Sequence, residues 1–171
     1  MTERLYLIDT NCLITAKNSY YPFDFASGFW DQLKNHINSG EILIHQAVYD
    51  ELGKYEDELT LWLKDNITAT RVKANDIETM NNFSQILVHI QNCGLYKNSA
   101  YQNWSRSGVA DPILIASAVT HGYVLVTNEV KSGGRSKDRP SKNPKIPDVA
   151  NDFEVECVSL FDMMRSLGFH L

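Results

Sequence analysis

Four acidic residues far apart in the chain, Asp9, Glu51, Asp111 and Glu129, stand at positions where an α/β fold would gather their carboxylates. Carboxylates about 4 Å apart repel by ~1 kcal/mol in water and by ~4 kcal/mol at an effective dielectric of about 20. Left alone, such a group raises its pKa values and takes up protons. A divalent cation removes the conflict, and hard oxygen donors with water completing the shell favour Mg²⁺ or Mn²⁺ over zinc. That ion can orient and deprotonate a water and neutralise charge on a phosphoryl transition state. Other chemistries find little support. His36, His45, His89, His121 and His170 share no ligand spacing, and Gly133-Gly134 follows no strand-to-helix phosphate-loop signature. Cys12 lacks an evident base, and Ser117, on an apolar segment, has no nucleophile-elbow context.

The elements that must position these acids follow from hydrophobic patterning. Leu5–Asp9, Glu41–His45 and Tyr123–Thr127 read as short buried strands, with Phe153–Val158 a weaker fourth. Helical periodicity covers Phe25–Asn38, a single long stretch from Val48 to Asn66, Asn75–Cys93, Ala110–His121 and Ser159–Leu167, with a short helix within Tyr96–Ser107. Asp9-Thr10-Asn11 reads as the exit turn of the first strand, and Val130–Pro147 as a long irregular segment. Short apolar strands alternating with helices predict parallel strands covered on both faces, in one domain spanning 1–171.

In open parallel sheets ligands bind at the carboxyl ends of the strands. Asp9 ends the first strand, Glu129 follows the third by two positions, and Glu51 lies early in the helix after the second. The helix of Asp111 returns through Gly122 into YVLVT, so it runs antiparallel to that strand and starts at the same rim. Simpler readings stand beside these: Asp9 as a turn residue, Glu58 in place of Glu51 on the helix face, and Asp111-Pro112 as an ordinary helix N-cap.

With 43% hydrophobic and 22% charged residues, the chain is neither disordered nor fibrous, and no apolar run reaches membrane-spanning length. The N-terminal stretch lacks a secretory pattern, and three widely spaced cysteines suit a reducing compartment, so a cytoplasmic location is expected. The net charge of −5 conceals a segregation. Lys131, Arg135, Lys137, Arg139, Lys142 and Lys145 face Asp138 alone between Val130 and Pro147, beside an acidic body. Such a cationic segment suits phosphate contacts, although a solvated loop has the same composition.

The same residues carry a family resemblance. LIDTN at the start, Glu51 in AVYDEL, GVADPILIASA around Asp111 and VLVTNE resemble, in order and spacing, the motifs of the PIN domain. The resemblance implies a three-layer α/β/α sandwich around a short parallel sheet, and a metal-dependent nuclease acting on RNA. It places Asp9, Glu51, Asp111 and Glu129 in the acidic positions, and Asn11 and Thr127 in the small polar positions that hold waters or acids in place. It also implies the toxin of a toxin–antitoxin pair, inhibited by a small antitoxin and often dimeric. The chain resembles a subgroup with a basic insert and an Ile-Pro-Asp motif, here Ile146-Pro147-Asp148. It departs in having Glu129 where Asp is usual and in the length of the segment from Lys131 to Pro147. Asp148 is either a further acid at the rim or a turn residue.

The expectation is therefore a Mg²⁺- or Mn²⁺-dependent endoribonuclease leaving a 3′-hydroxyl and a 5′-phosphate. Asp9 and Asp111 would ligate the ion, and Glu129 would reach it through water. Glu51 and Glu129 would complete or orient the site, one helping to deprotonate the attacking water. Lys131, Arg135, Lys137, Arg139 and Lys142 would contact the RNA backbone, making binding salt-dependent. Tyr20, Tyr21, Tyr101 and Trp104 are candidates for a homodimer interface. The competing readings are a non-catalytic RNA-binding or protein-interaction module, and a phosphatase. The second acid a phosphatase usually carries two residues after its nucleophile is Asn11 here.

Overall fold

The computed structural model describes residues 3–171; Met1 and Thr2, the start of the stretch weighed above as a leader, lie outside them. Three central segments are short and apolar, β1 (Tyr6–Ile8), β2 (Ile42–Leu43) and β3 (Val124–Val126), and every residue in them but Leu43 is buried. With β4 (Cys157–Val158) they form one parallel sheet in the order β2-β1-β3-β4. Tyr6 is in register with Ile42 on one side and Val124 on the other. Every residue of β1 and β3 is buried, whichever face it points to, so helices cover the sheet on both sides. The chain reverses direction across the sheet at β1, which opens a crevice beyond the carboxyl ends of β1 and β3.

The helices are α1 (Thr10–Thr15), α2 (Ser27–Ser39), α3 (Gln46–Leu52), α4 (Glu58–Asn66) and α5 (Ile77–Asn92), followed by α6 (Asn98–Trp104), α7 (Asp111–His121), α8 (Ile146–Asp152) and α9 (Leu160–Ser166). Gly40, Gly122 and Gly168 take the left-handed conformation after α2, α7 and α9, a backbone state that costs glycine least. Ser159 caps α9, as the spacing predicts, by accepting the Asp162 N–H.

Three expectations are corrected. The Asp9-Thr10-Asn11 cluster is no simple turn: Asp9 is the N-cap of α1, which runs on into a π-type turn over Ala16–Tyr20. The long periodic stretch from Val48 is two helices. After Gly53 the chain breaks, and Asp57 caps α4 by accepting the Thr60 N–H at 3.1 Å while pairing with Lys17 at 2.9 Å. Both halves bury their apolar stripe against the same core, through Val48, Leu52, Leu59 and Leu63, so the period survives the break. Finally, Ile146-Pro147-Asp148 opens α8 instead of ending a loop, with Pro147 in the first turn, where its missing N–H costs nothing.

Candidate active site

Asp9 leaves β1 with its N–H bound to the Val126 carbonyl of β3 at 2.9 Å, so its position is set by the sheet. An N-cap aspartate ordinarily accepts an N–H of its own helix. The Asp9 side chain makes no such cap bond; its Oδ2 accepts the Thr127 hydroxyl at 3.1 Å, across the crevice between β1 and β3. The Thr127 Oγ1 in turn accepts the Glu129 N–H at 3.1 Å, which ties the turn after β3 to the same carboxylate.

Glu51 is a brace. One carboxylate oxygen accepts the Thr10 hydroxyl at 2.5 Å, and the other accepts the Ala110 N–H at 3.0 Å, joining α3 to the starts of α1 and α7. Its charge also lies at the positive end of α7, where an anion is favoured. Glu129 plays the matching part for α8: Oε2 accepts the Ile146 N–H at 2.8 Å, and Oε1 lies 3.6 Å from Lys145 Nζ.

Asp111 differs from all three. Ala110, not Asp111, is the N-cap of α7, so the plain capping reading of Asp111-Pro112 fails. Among the described residues its carboxylate accepts no hydrogen bond from any side chain or backbone amide. Burial raises the Asp111 pKa to about 7, with repulsion from Asp9, Glu129 and Glu51 adding to it and Lys145 opposing. The Asp9 pKa is also raised to about 7, chiefly by burial, with Glu129 and Glu51 contributing and the Thr127 hydrogen bond working against them. The four carboxylates predicted at one rim therefore meet there and feel one another.

They do not close a cage: among the described residues no three acidic, histidine or cysteine side chains are arranged to hold one ion. The reason is local, since Glu51 and Glu129 are turned towards helix amides and leave Asp9 and Asp111 as the pair with open oxygens. Asp9 and Asp111 offer hard oxygen atoms, the donor type that Mg²⁺ or Mn²⁺ prefers. Thr127 holds Asp9, as expected. Asn11 does not hold an acid: it is exposed and makes no side-chain hydrogen bond among the described residues, and its neighbour Thr10 does that work. A hydroxyl at a strand exit, such as that of Thr10, carries no distinguishing signal in the sequence without its partner 41 residues away.

Asp148 is buried and faces the insert, not the acids: Oδ2 accepts the Ser132 N–H at 3.0 Å and the Ser132 hydroxyl at 2.6 Å. Arg135, expected to meet phosphate, is consumed internally. It makes two 2.9 Å bonds to Asp152, donates to the Tyr96 hydroxyl at 2.7 Å and reaches Asp148 at 4.0 Å. Asp152 also pairs with His89 at 2.9 Å. Ser141 adds backbone bonds to Leu95 and Lys97, so the insert is fastened along its length. Lys131, Lys137, Arg139 and Lys142 remain exposed. Arg135→Met should therefore destabilise the fold by about 2–3 kcal/mol, because Asp152 is left without its main partner. Denaturant unfolding checks this, and a variant as stable as the wild type would show that the Asp152 pairing is dispensable.

A four-stranded parallel sheet ordered 2-1-3-4 and covered by helices is a PIN-like α/β/α fold. The chain belongs to the family described as "Domain of unknown function (DUF4411)", whose model matches residues 6–171. In fold it is similar to a chain of VapBC2 from Rickettsia felis, solved bound to a DNA fragment from their promoter. That likeness has a TM-score of 0.50 at 16% identity and covers 82% of this chain and 99% of the other. No curated protein matches it significantly in sequence. No helix among the described residues is long and apolar enough to cross a membrane.

Proposed function

We propose that the protein is a Mg²⁺- or Mn²⁺-dependent endoribonuclease and the toxin of a toxin–antitoxin pair, working as one PIN-like domain in the cytoplasm. The observation that carries the chemistry is Asp111: a half-buried carboxylate that accepts no hydrogen bond among the described residues, close enough to the buried carboxylate of Asp9 to be repelled by it. Such a pair is relieved either by taking up protons or by a bound cation. Asp9 and Asp111 would hold the ion, which when bound lowers the pKa of water and neutralises charge on a phosphodiester. Thr127 orients Asp9, and Glu51 fixes the start of α7 and with it Asp111. Glu129 Oε1 accepts no hydrogen bond among the described residues, which supports giving it the proton of the attacking water in this reading. Attack by water on phosphorus leaves a 5′-phosphate and a 3′-hydroxyl. Lys131, Lys137, Arg139 and Lys142 supply the exposed charge for backbone contacts. The fold likeness to VapBC2 supports the toxin role and a small antitoxin partner; the expected homodimer belongs to the same proposal.

The test is incubation of the purified chain with mixed single-stranded RNAs. Cleavage is expected with Mn²⁺ or Mg²⁺ and should fall to background in EDTA. Cleavage that survives chelation would sink the mechanism, and absence of cleavage with every ion would leave the non-catalytic module as the better account.

A further inference from the structure

We infer that Lys145 is the protein's own phosphate-binding cation at this site, meeting a non-bridging oxygen of the phosphodiester held beside Asp9 and Asp111. The inference rests on the nuclease reading and extends it by a residue that neither the motifs nor the family description assigns. Four carboxylates at one rim repel any phosphodiester, and a single divalent ion does not balance them. Of the cations in the insert, Arg135 is bound to Asp152. Lys145 instead lies at the acids: its ammonium is 3.6 Å from Glu129 Oε1, and its charge acts on Asp111. That distance is an ion pair, not a hydrogen bond, so the three N–H donors are not committed to Glu129. The side chain is 42% exposed and can meet an incoming ligand from solvent.

The backbone beneath it is anchored on both sides. Lys145 is the N-cap of α8, its carbonyl accepts the Asp148 and Val149 amides at 3.1 Å, and the next amide, of Ile146, is bound by Glu129. Asp148 and Arg135, which fasten the insert, thereby keep the base of Lys145 at the rim. An ion pair as exposed as this one contributes little to stability, so a structural role alone accounts poorly for so fixed a placement. A pre-placed cation stabilises charge that grows on the phosphoryl group during attack.

The experiment compares a fluorescent, cleavage-resistant single-stranded RNA oligonucleotide bound to the wild type and to Lys145→Met and Lys145→Arg, in Mn²⁺ across a monovalent salt series, with cleavage of unmodified RNA measured separately. Loss of one phosphate contact should lower the slope of log affinity against log salt by about 0.7 in Lys145→Met. The rate constant kcat should fall by about 10²-fold with a smaller change in KM, and Lys145→Arg should recover most of both. A salt slope and kcat within twofold of wild type in Lys145→Met would overturn the inference, as would RNA that does not bind the wild type. A changed slope in a protein that never cleaves RNA would overturn the nuclease reading and leave the phosphate contact standing. Matching thermal melts guard against a folding defect, and a variant that melts early is replaced by Lys145→Gln.

Discussion

Asp111→Asn is expected to abolish RNA cleavage, by on the order of 10³-fold or more, while making the metal-free protein more stable above neutral pH. Asn keeps the size and shape of Asp and removes the charge. The lost charge is one that Asp9, Glu51 and Glu129 all repel, and no hydrogen bond is broken with it. Relief of one desolvated like-charge contact should be worth about 1–2 kcal/mol, or several degrees in Tm for a chain of this size. Opposite changes in activity and stability are the signature of a group kept for chemistry. Residual cleavage within tenfold of wild type, or a variant that melts earlier at pH 8, would show that Asp111 serves the fold.

The metal-free wild type should lose stability as pH rises from about 4 to about 7, and a divalent cation should restore it on the alkaline side. The sign follows from proton counts. Unfolded, Asp9 releases its proton near its ordinary pKa; folded, it holds it to about pH 7. Between those values the native state binds more protons than the unfolded state, so each rise in pH favours unfolding. Across the window the loss is on the order of a few kcal/mol, and it levels off above pH 7. Asp57 and Asp152, whose pKa values are lowered, act in the reverse sense and only at the acid end. Melts of wild type and Asp9→Asn in EDTA isolate the effect by difference. Mg²⁺ at about 100 times its Kd should return about 2.7 kcal/mol at pH 8 and far less at pH 5. Parallel curves for the two proteins would remove Asp9 from the account.

The rim of acids was legible because parallel topology alone decides which end of each strand and helix a residue occupies. Asp9, Glu51, Asp111 and Glu129 needed only that rule and the turn at Gly122. Their division of labour was not legible. Whether a carboxylate faces a ligand or an amide is decided by contacts such as Glu51 with Ala110, 59 residues apart, which leave no local pattern. The same holds for Arg135, whose composition suggested phosphate and whose partner, Asp152, sits on a helix hidden behind a run of prolines and glycines. The break between α3 and α4 was concealed differently, because two helices packing on one core share one periodicity. Asn11 and Thr10 show the finer limit: adjacent small polar residues at a helix start exchange roles with the choice of side that the helix turns inward.

The place of β1 between β2 and β3 has a bearing on synthesis. Thr127, which holds Asp9, and Asp111, which Asp9 repels, leave the ribosome more than 100 residues after it. A nascent chain therefore carries no assembled rim of acids until β3 has slotted in beside β1.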